Sequence, residues 1–252
     1  MSTPETSLTP VENTPPRLSE AERAINTFFA PSKTFEDIRV NASWWMPFVL
    51  ISLMAIVFSF TVGKKIGWDQ VMQNEIAKSP ARVAQMDKMP PEQRDRILTM
   101  QAKFAEYSGY ASPVFVLISA VLVAGVLMMV FNFGLGAAIK FSTSMAIVMY
   151  AWLATLVSTL LAIITMFAGA NPEGFNIRNP VGTNPAYFMN PAENKFLYGM
   201  ASGLDVIALW VVFLMAIGFA ANSKVKRGTA FVTILAMFIV VKLIGAGFAA
   251  MF

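Results

Sequence analysis

The chain contains no cysteine and no histidine, and only 13% of its 252 residues are charged. Without thiols there is no disulfide framework and no thiol chemistry. Without thiolate or imidazole the usual zinc ligands are missing, so no metal site is expected. Ser-His-Asp and Cys-His catalytic arrangements are excluded for the same reason. No Gly-rich phosphate loop or Ser-elbow motif appears. We therefore expect no catalytic residues, no cofactor and no enzymatic activity. The net charge of +4 is small and sits in loops beside apolar blocks. That is a membrane-topology signal, so no nucleic-acid partner is expected.

What the chain does have is apolar sequence, 56% of it, gathered into long blocks. This is too apolar for an ordinary soluble domain of this length. Crossing about 30 Å of hydrocarbon takes roughly 20 mainly apolar residues as a helix. The blocks predict an all-α integral membrane bundle of five transmembrane helices, at about residues 45–62, 113–138, 144–167, 204–221 and 229–250. Together with their connections they make one membrane domain, residues 44–252.

The last two spans form a hairpin around the basic turn Asn222-Ser-Lys-Val-Lys-Arg-Gly228. Each carries one charge, Asp205 in the first and Lys242 in the second. At about 1.5 Å per residue, Asp205 stands roughly 24 Å from Ala221, and Lys242 roughly 20 Å from Thr229. In antiparallel neighbours the two lie at similar depth, away from the turn. Intramembrane charges are costly and usually face a partner or a polar cavity. One reading makes Asp205 and Lys242 an ion pair. The other makes Asp205 a helix cap and lets Lys242 snorkel to the headgroups. Asn132, inside the second span, is a further intramembrane polar residue.

Residues 1–17 are rich in Ser, Thr, Pro and Glu and are expected to be disordered. They do not have the basic start and apolar run of a signal peptide. Residues 18–43 form an amphipathic or interfacial segment. Ser19 and Glu22 fit a capping box. Leu18, Ala21, Ile25 and Phe28 fall on one face of the predicted helix, with Glu20, Arg23 and Thr27 opposite. Such a helix can lie in the membrane surface or dock on the bundle. Pro31 ends it, and Thr34 with Asp37 only approximates a second capping box. Trp44 and Trp45 mark a membrane interface.

The polar loop 64–110 mixes bases and acids, as a solvated helical surface does, and is predicted to be two helices split at Met89-Pro-Pro91. In the third span Ala154, Ser158 and Ala162 recur at four-residue spacing, a row that lets helices approach closely. The loop 168–200 holds four Asn-Pro dipeptides, at Asn171, Asn179, Asn184 and Asn190. These favour turns and suggest a compact cap on the bundle or, in a functional version, a lid over a cavity. With the N-terminus inside, the inner segments hold Arg23, Lys33, Arg39, Lys140, Lys224, Lys226 and Arg227, while the Asn-Pro loop holds Arg178 and Lys195. Lys64-Lys65 and the 66–109 loop argue the other way. The balance favours a cytoplasmic N-terminus.

These residues resemble a family. Phe28-Phe-Ala-Pro-Ser-Lys-Thr-Phe-Glu-Asp-Ile38 followed by Trp44-Trp45 is similar to the bacterial branch of the Yip domain (Ypt/Rab-interacting protein) family. Tyr150-Ala-Trp-Leu153, Asn179-Pro-Val-Gly-Thr-Asn184, Gly203-Leu-Asp-Val206 with Trp210, Ile217-Gly-Phe-Ala220, Ser223-Lys-Val-Lys226 and Val241-Lys242 continue the likeness, which covers roughly residues 22–250. The resemblance implies five spans, a cytosolic N-terminus, a place in the bacterial inner membrane, and no catalytic residues to carry over. Eukaryotic members are linked to vesicle traffic, Rab GTPases and membrane shaping. Where the family motif often has a proline after Tyr-x-x-Leu, this chain has Ala154. The expected function is a non-enzymatic membrane-organising or interaction protein, in contact with the lipid bilayer and with a protein partner at its N-terminal segment. The alternative is a small-molecule or ion transporter or permease component using Asp205, Lys242 and Asn132. Five spans show no inverted repeat of the kind transporters commonly have.

Overall fold

A computed structural model describes residues 17–251; the disorder expected over residues 1–17 falls, Arg17 apart, on residues outside these. The described residues form helices and no strands. Two short helices come first, α1 (Glu20–Phe29) and α2 (Pro31–Asp37). The first span is α3 (Trp45–Lys65). The polar region forms three helices, not two: α4 (Trp68–Ala77), α5 (Pro80–Asp87) and α6 (Pro91–Tyr110). The additional break falls at Lys78-Ser79, just before Pro80, because the residue before a proline is pushed out of the helical region.

α7 (Ser112–Met129) continues into a π-helical turn, Val130–Gly134. The third span is α8 (Phe141–Trp152) followed directly by α9 (Thr155–Phe167). Between them the hydrogen bonds tighten from i→i−4 to i→i−3: the N–H of Leu153 donates to Tyr150 and that of Ala154 to Ala151. The helix therefore changes character at the family's proline position although Ala154 stands there. Beyond the loop come α10 (Lys195–Ser202), α11 (Val206–Ala221) and α12 (Arg227–Met251). Among the described residues four helical segments are long and apolar enough to cross a membrane, and the count is five if α10 and α11, bent by 51° at their break, are one span. By itself α11 is only about 24 Å long.

α8 is the axis of the bundle. Its residues Ser144 to Ala151 are all buried, as for a helix packed on every side. α3, α7 and α11 surround it, and α12 lies at the edge against α10 and α11. Lipid tails are as apolar as leucine, so packing in such a bundle depends on close contact more than on hydrophobicity. Gly218 shows this. A Cβ there would stand 2.4 Å from Ile147 Cγ2 and 2.9 Å from Phe35 Cδ1, so α2 and α8 can both close on α11 only over a glycine. Gly199 does the same for α10 on α12, facing the Ala246 backbone.

The bundle has two different ends. At one, α1 and α2 cover the ends of α8 and α11. Asn222 Nδ2 donates to the Phe35 carbonyl at 2.8 Å, and Arg39 Nε donates to the carbonyl of Ala221 at 2.5 Å. At the other, α4 and α6 pack through Trp68, Val71 and Ala102 on Val62 of α3, Met166 of α9 and Phe175 of the Asn-Pro loop. Asn74 Nδ2 ties that loop down by donating to the carbonyls of Pro172 (2.7 Å) and Phe175 (2.9 Å).

Candidate functional site

The polar residues fall into two centres. The one at the cap end contains Asp205 and Lys242. Asp205 is the N-cap of α11, and its Oδ1 accepts from the backbone N–H of Ile207 and Ala208, both at 2.9 Å. Its Oδ2 accepts from the Thr183 hydroxyl and from Asn184 Nδ2 at 3.2 Å. Four donors thus occupy the carboxylate. Among the described residues it makes no ion pair with Lys242. The direct pair gives way to the capping arrangement, because the loop and the helix start saturate both oxygens first. The Lys242 ammonium lies 5.5 Å from the centroid of the Phe238 ring, within cation–π range.

The two residues nonetheless line one cavity of about 390 Å³. Phe58 of α3, Ser158, Thr159 and Ala162 of α9, Ser202 of α10, Ala208 of α11 and loop residues between Ile177 and Asn184, Gly182 excepted, complete it. The small-residue row of the third span is divided by this cavity: Ala154 is buried in packing, while Ser158 and Ala162 line the space. A second, more polar cavity of about 660 Å³ lies beyond it under the Asn-Pro loop, lined by Asn74, Lys78, Asn176 and Tyr198 among others. Asn179 and Pro180 line both. The loop is held by its own amides. Asn179 and Asn184 donate to each other at 3.2 and 2.8 Å, and Asn176 Nδ2 donates to the Tyr198 hydroxyl at 2.8 Å. Lys78 Nζ donates to Asn176 Oδ1 at 2.7 Å and also pairs with Glu75, which holds Arg178 at 3.2 Å.

Asn132 is elsewhere. Its Nδ2 donates to the Ile139 carbonyl and its Oδ1 accepts from the Ile139 N–H, both at 2.9 Å. The side chain therefore clamps the reversal between the π-turn and α8. Its neighbour Phe131 stacks on Phe219 at 4.4 Å, near the far end of α11 from Asp205. Fourteen residues of helix separate Asp205 from Phe219, roughly 21 Å, so Asn132 shares no cavity with the other two.

The second centre, at the arm end, sets the orientation of α1, which the two faces of the helix left open. Arg23 is completely buried and Thr27 is buried, whereas Ile25 is 58% and Phe29 84% exposed. The polar face is turned to the bundle and part of the apolar face outward. Arg23 Nε donates to Asp37 Oδ2 at 2.5 Å, and Nη1 lies 3.5 Å from Glu20 Oε1. Glu20 Oε2 accepts from the Tyr150 hydroxyl of α8 at 2.7 Å. The Arg23 carbonyl accepts from Thr27 (2.8 Å) and Thr34 (2.9 Å), so Thr34 ties α2 to α1 instead of capping α2. Leu18 N–H donates to the other Asp37 oxygen at 3.2 Å. Ser19 and Glu22 do form the capping box, and two Ser19 donors, backbone first and hydroxyl second, hold the Glu22 carboxyl below its usual range. The signal for this centre was in the sequence: a Glu-x-x-Arg face and, in the next helix, an Asp after a proline-started turn.

Among the described residues no group of three or more Asp or Glu side chains is gathered as a metal ion would require. No curated protein and no solved structure matches the chain. The Yip1 domain model matches residues 25–249, which take in α3 to α11 and nearly all of α12. That stretch includes both polar centres except for Glu20 and Arg23. The chain is a multi-pass membrane protein of the Yip1 domain family.

Proposed function

We propose that the protein is a non-enzymatic membrane-organising or interaction protein whose working part is the α1–α2 arm. The observation that carries this is the inverted seating of α1. A buried Arg23–Glu20–Asp37–Tyr150 cluster fixes the arm to the bundle, and Ile25, Phe29, Val40 and Trp45 are left exposed around it. An apolar rim beside an interfacial tryptophan suits the boundary between headgroups and acyl chains. Lys33 and Glu36 are exposed on α2 and suit a protein partner in the aqueous phase. The basic residues Lys33, Arg39, Lys140, Lys224 and Lys226 gather at the arm end, which supports a cytoplasmic N-terminus in a bacterial inner membrane. Cysteines at positions 88 and 193 should then label from outside intact spheroplasts and one at 224 should not. The reverse pattern contradicts the orientation.

The functional test places a photoactivatable residue at Lys33 or Glu36 in the native membrane. A protein captured reproducibly, and lost when Arg23→Met frees the arm, supports the reading. Capture of lipid alone at both positions contradicts the partner. The cavity at Asp205 and Lys242 favours a second reading, a small-molecule or ion permease component. That reading requires flux through proteoliposomes that Lys242→Met abolishes, and a tight vesicle would remove it.

A further inference from the structure

We infer that the cavity at Lys242 is a binding site for the phosphate group of an anionic glycerophospholipid. This does not rest on the arm's role. The argument starts from charge. The cavity holds one carboxylate, Asp205, whose two oxygens are already hydrogen-bonded by two backbone N–H groups, a hydroxyl and an amide. Lys242 has no such partner. Among the described residues its ammonium has no carboxylate within ion-pair distance, and it lies 5.5 Å from the centroid of the Phe238 ring. Those neutral donors hold the Asp205 carboxylate without cancelling its charge, so what the space offers an anion is a half-buried ammonium with no direct partner.

The surrounding groups specify which anion. Ser158 of α9 supplies a hydroxyl, which suits a phosphate oxygen, while the Thr159 hydroxyl already donates to the Thr155 carbonyl at 3.1 Å; Arg178 stands at the mouth with its side chain 81% exposed. Basic pockets between membrane helices are known to take lipid head groups. The architecture adds the second half of the ligand. α9 and α12 flank α11 without packing closely on each other, so the cavity lies in a cleft between them. Toward the membrane interior the flanking surfaces are exposed and apolar, with Val157 on α9 and Ile239 and Val240 on α12. A phosphate in the cavity therefore places two acyl chains against those surfaces, at the face of the membrane away from the arm. A free phosphate ion would use the same ammonium and hydroxyl but none of that apolar surface.

The test is native mass spectrometry of the full chain released from detergent micelles. It is titrated with phosphatidylglycerol, with phosphatidylcholine and, separately, with inorganic phosphate. We expect phosphatidylglycerol to be retained in preference to phosphatidylcholine. Lys242→Met should weaken its retention about fivefold, as for one basic contact to an anionic lipid, and Lys242→Arg should keep it. Ser158→Val should weaken it about threefold through one lost hydrogen bond, and it carries the test if Lys242→Met does not fold. Equal retention of the two lipids, or retention unchanged in Lys242→Met and Ser158→Val, overturns the inference. Displacement of phosphatidylglycerol by inorganic phosphate also overturns it, because the site would then take a soluble anion.

Discussion

At the arm end, Glu20, Arg23 and Asp37 meet with Tyr150 in one largely buried cluster, whereas at the cap end Asp205 and Lys242 line the same cavity without touching. In the first case every charge is spent on another side chain of the same chain. In the second the carboxylate is spent on a helix start and a loop, and the ammonium is left over. Charges beside apolar blocks look alike in a sequence, yet one set here fastens two helices to the bundle and the other leaves a site open. The difference lies in which donors each carboxylate meets. Asp37 meets a guanidinium because α2 folds back on α1. Asp205 meets its own backbone because a cap needs only the next two or three residues.

The comparison can be broken most severely at Arg23. Arg23→Met leaves Asp37 and Glu20 without their buried partner, and we expect a loss of about 3–5 kcal/mol. This is to be measured by chemical denaturation in detergent; a loss below about 1 kcal/mol would mean that the cluster is solvated, as surface pairs are. Gly218→Ala tests the packing under the arm. The new methyl meets Ile147 and Phe35, and overpacking of this kind costs about 1–3 kcal/mol. The same substitution at Gly125 meets nothing within 4 Å and should have little effect, which provides the control.

At the cap end the effects are smaller. Asp205→Ala removes a helix cap at a cost of about 1 kcal/mol. Lys242→Met should stay within about 0.5 kcal/mol of wild type, and the double variant should be additive to about that margin. A coupling energy well above it would restore the direct ion pair. The smallest effect belongs to Glu22. Its folded-state carboxyl titrates below the unfolded value, so it contributes stability above the unfolded pKa that is lost as pH falls through the folded one. Stability curves of wild type and Glu22→Gln should therefore converge on the acid side and separate above it. Parallel curves would show that the capping box carries no charge term.

The spans were legible because each is a long apolar run, and Asp205 as a helix start was legible from the single acid ahead of Val206. The choice between cap and ion pair was not, since Thr183 and Asn184 reach Asp205 from a loop some twenty residues away. Asn132 was visible as a polar residue in a span, but its clamp on Ile139 depends on a π-turn that places residues seven apart face to face. The periodicity of α1 separated its two faces correctly: Glu20, Arg23 and Thr27 do share a side. It could not say which side faces the bundle. Turning the apolar side inward is a rule for water, where apolar surface seeks cover. At a lipid boundary apolar side chains are already at home and polar groups seek partners inside the protein. That reversal explains Arg23 at the centre and Phe29 on the rim.

The direct measurement of this claim uses the absence of native cysteine. A single cysteine at position 25, 29 or 27 is labelled with a small fluorophore in the full chain, reconstituted in vesicles and exposed to a quencher carried on lipid. The inverted seating predicts strong quenching at 25 and 29 and weak quenching at 27. Quenching at 27 with protection at 25 and 29 would mean that the arm docks by its apolar face, and the buried Arg23 cluster could not then be what holds it.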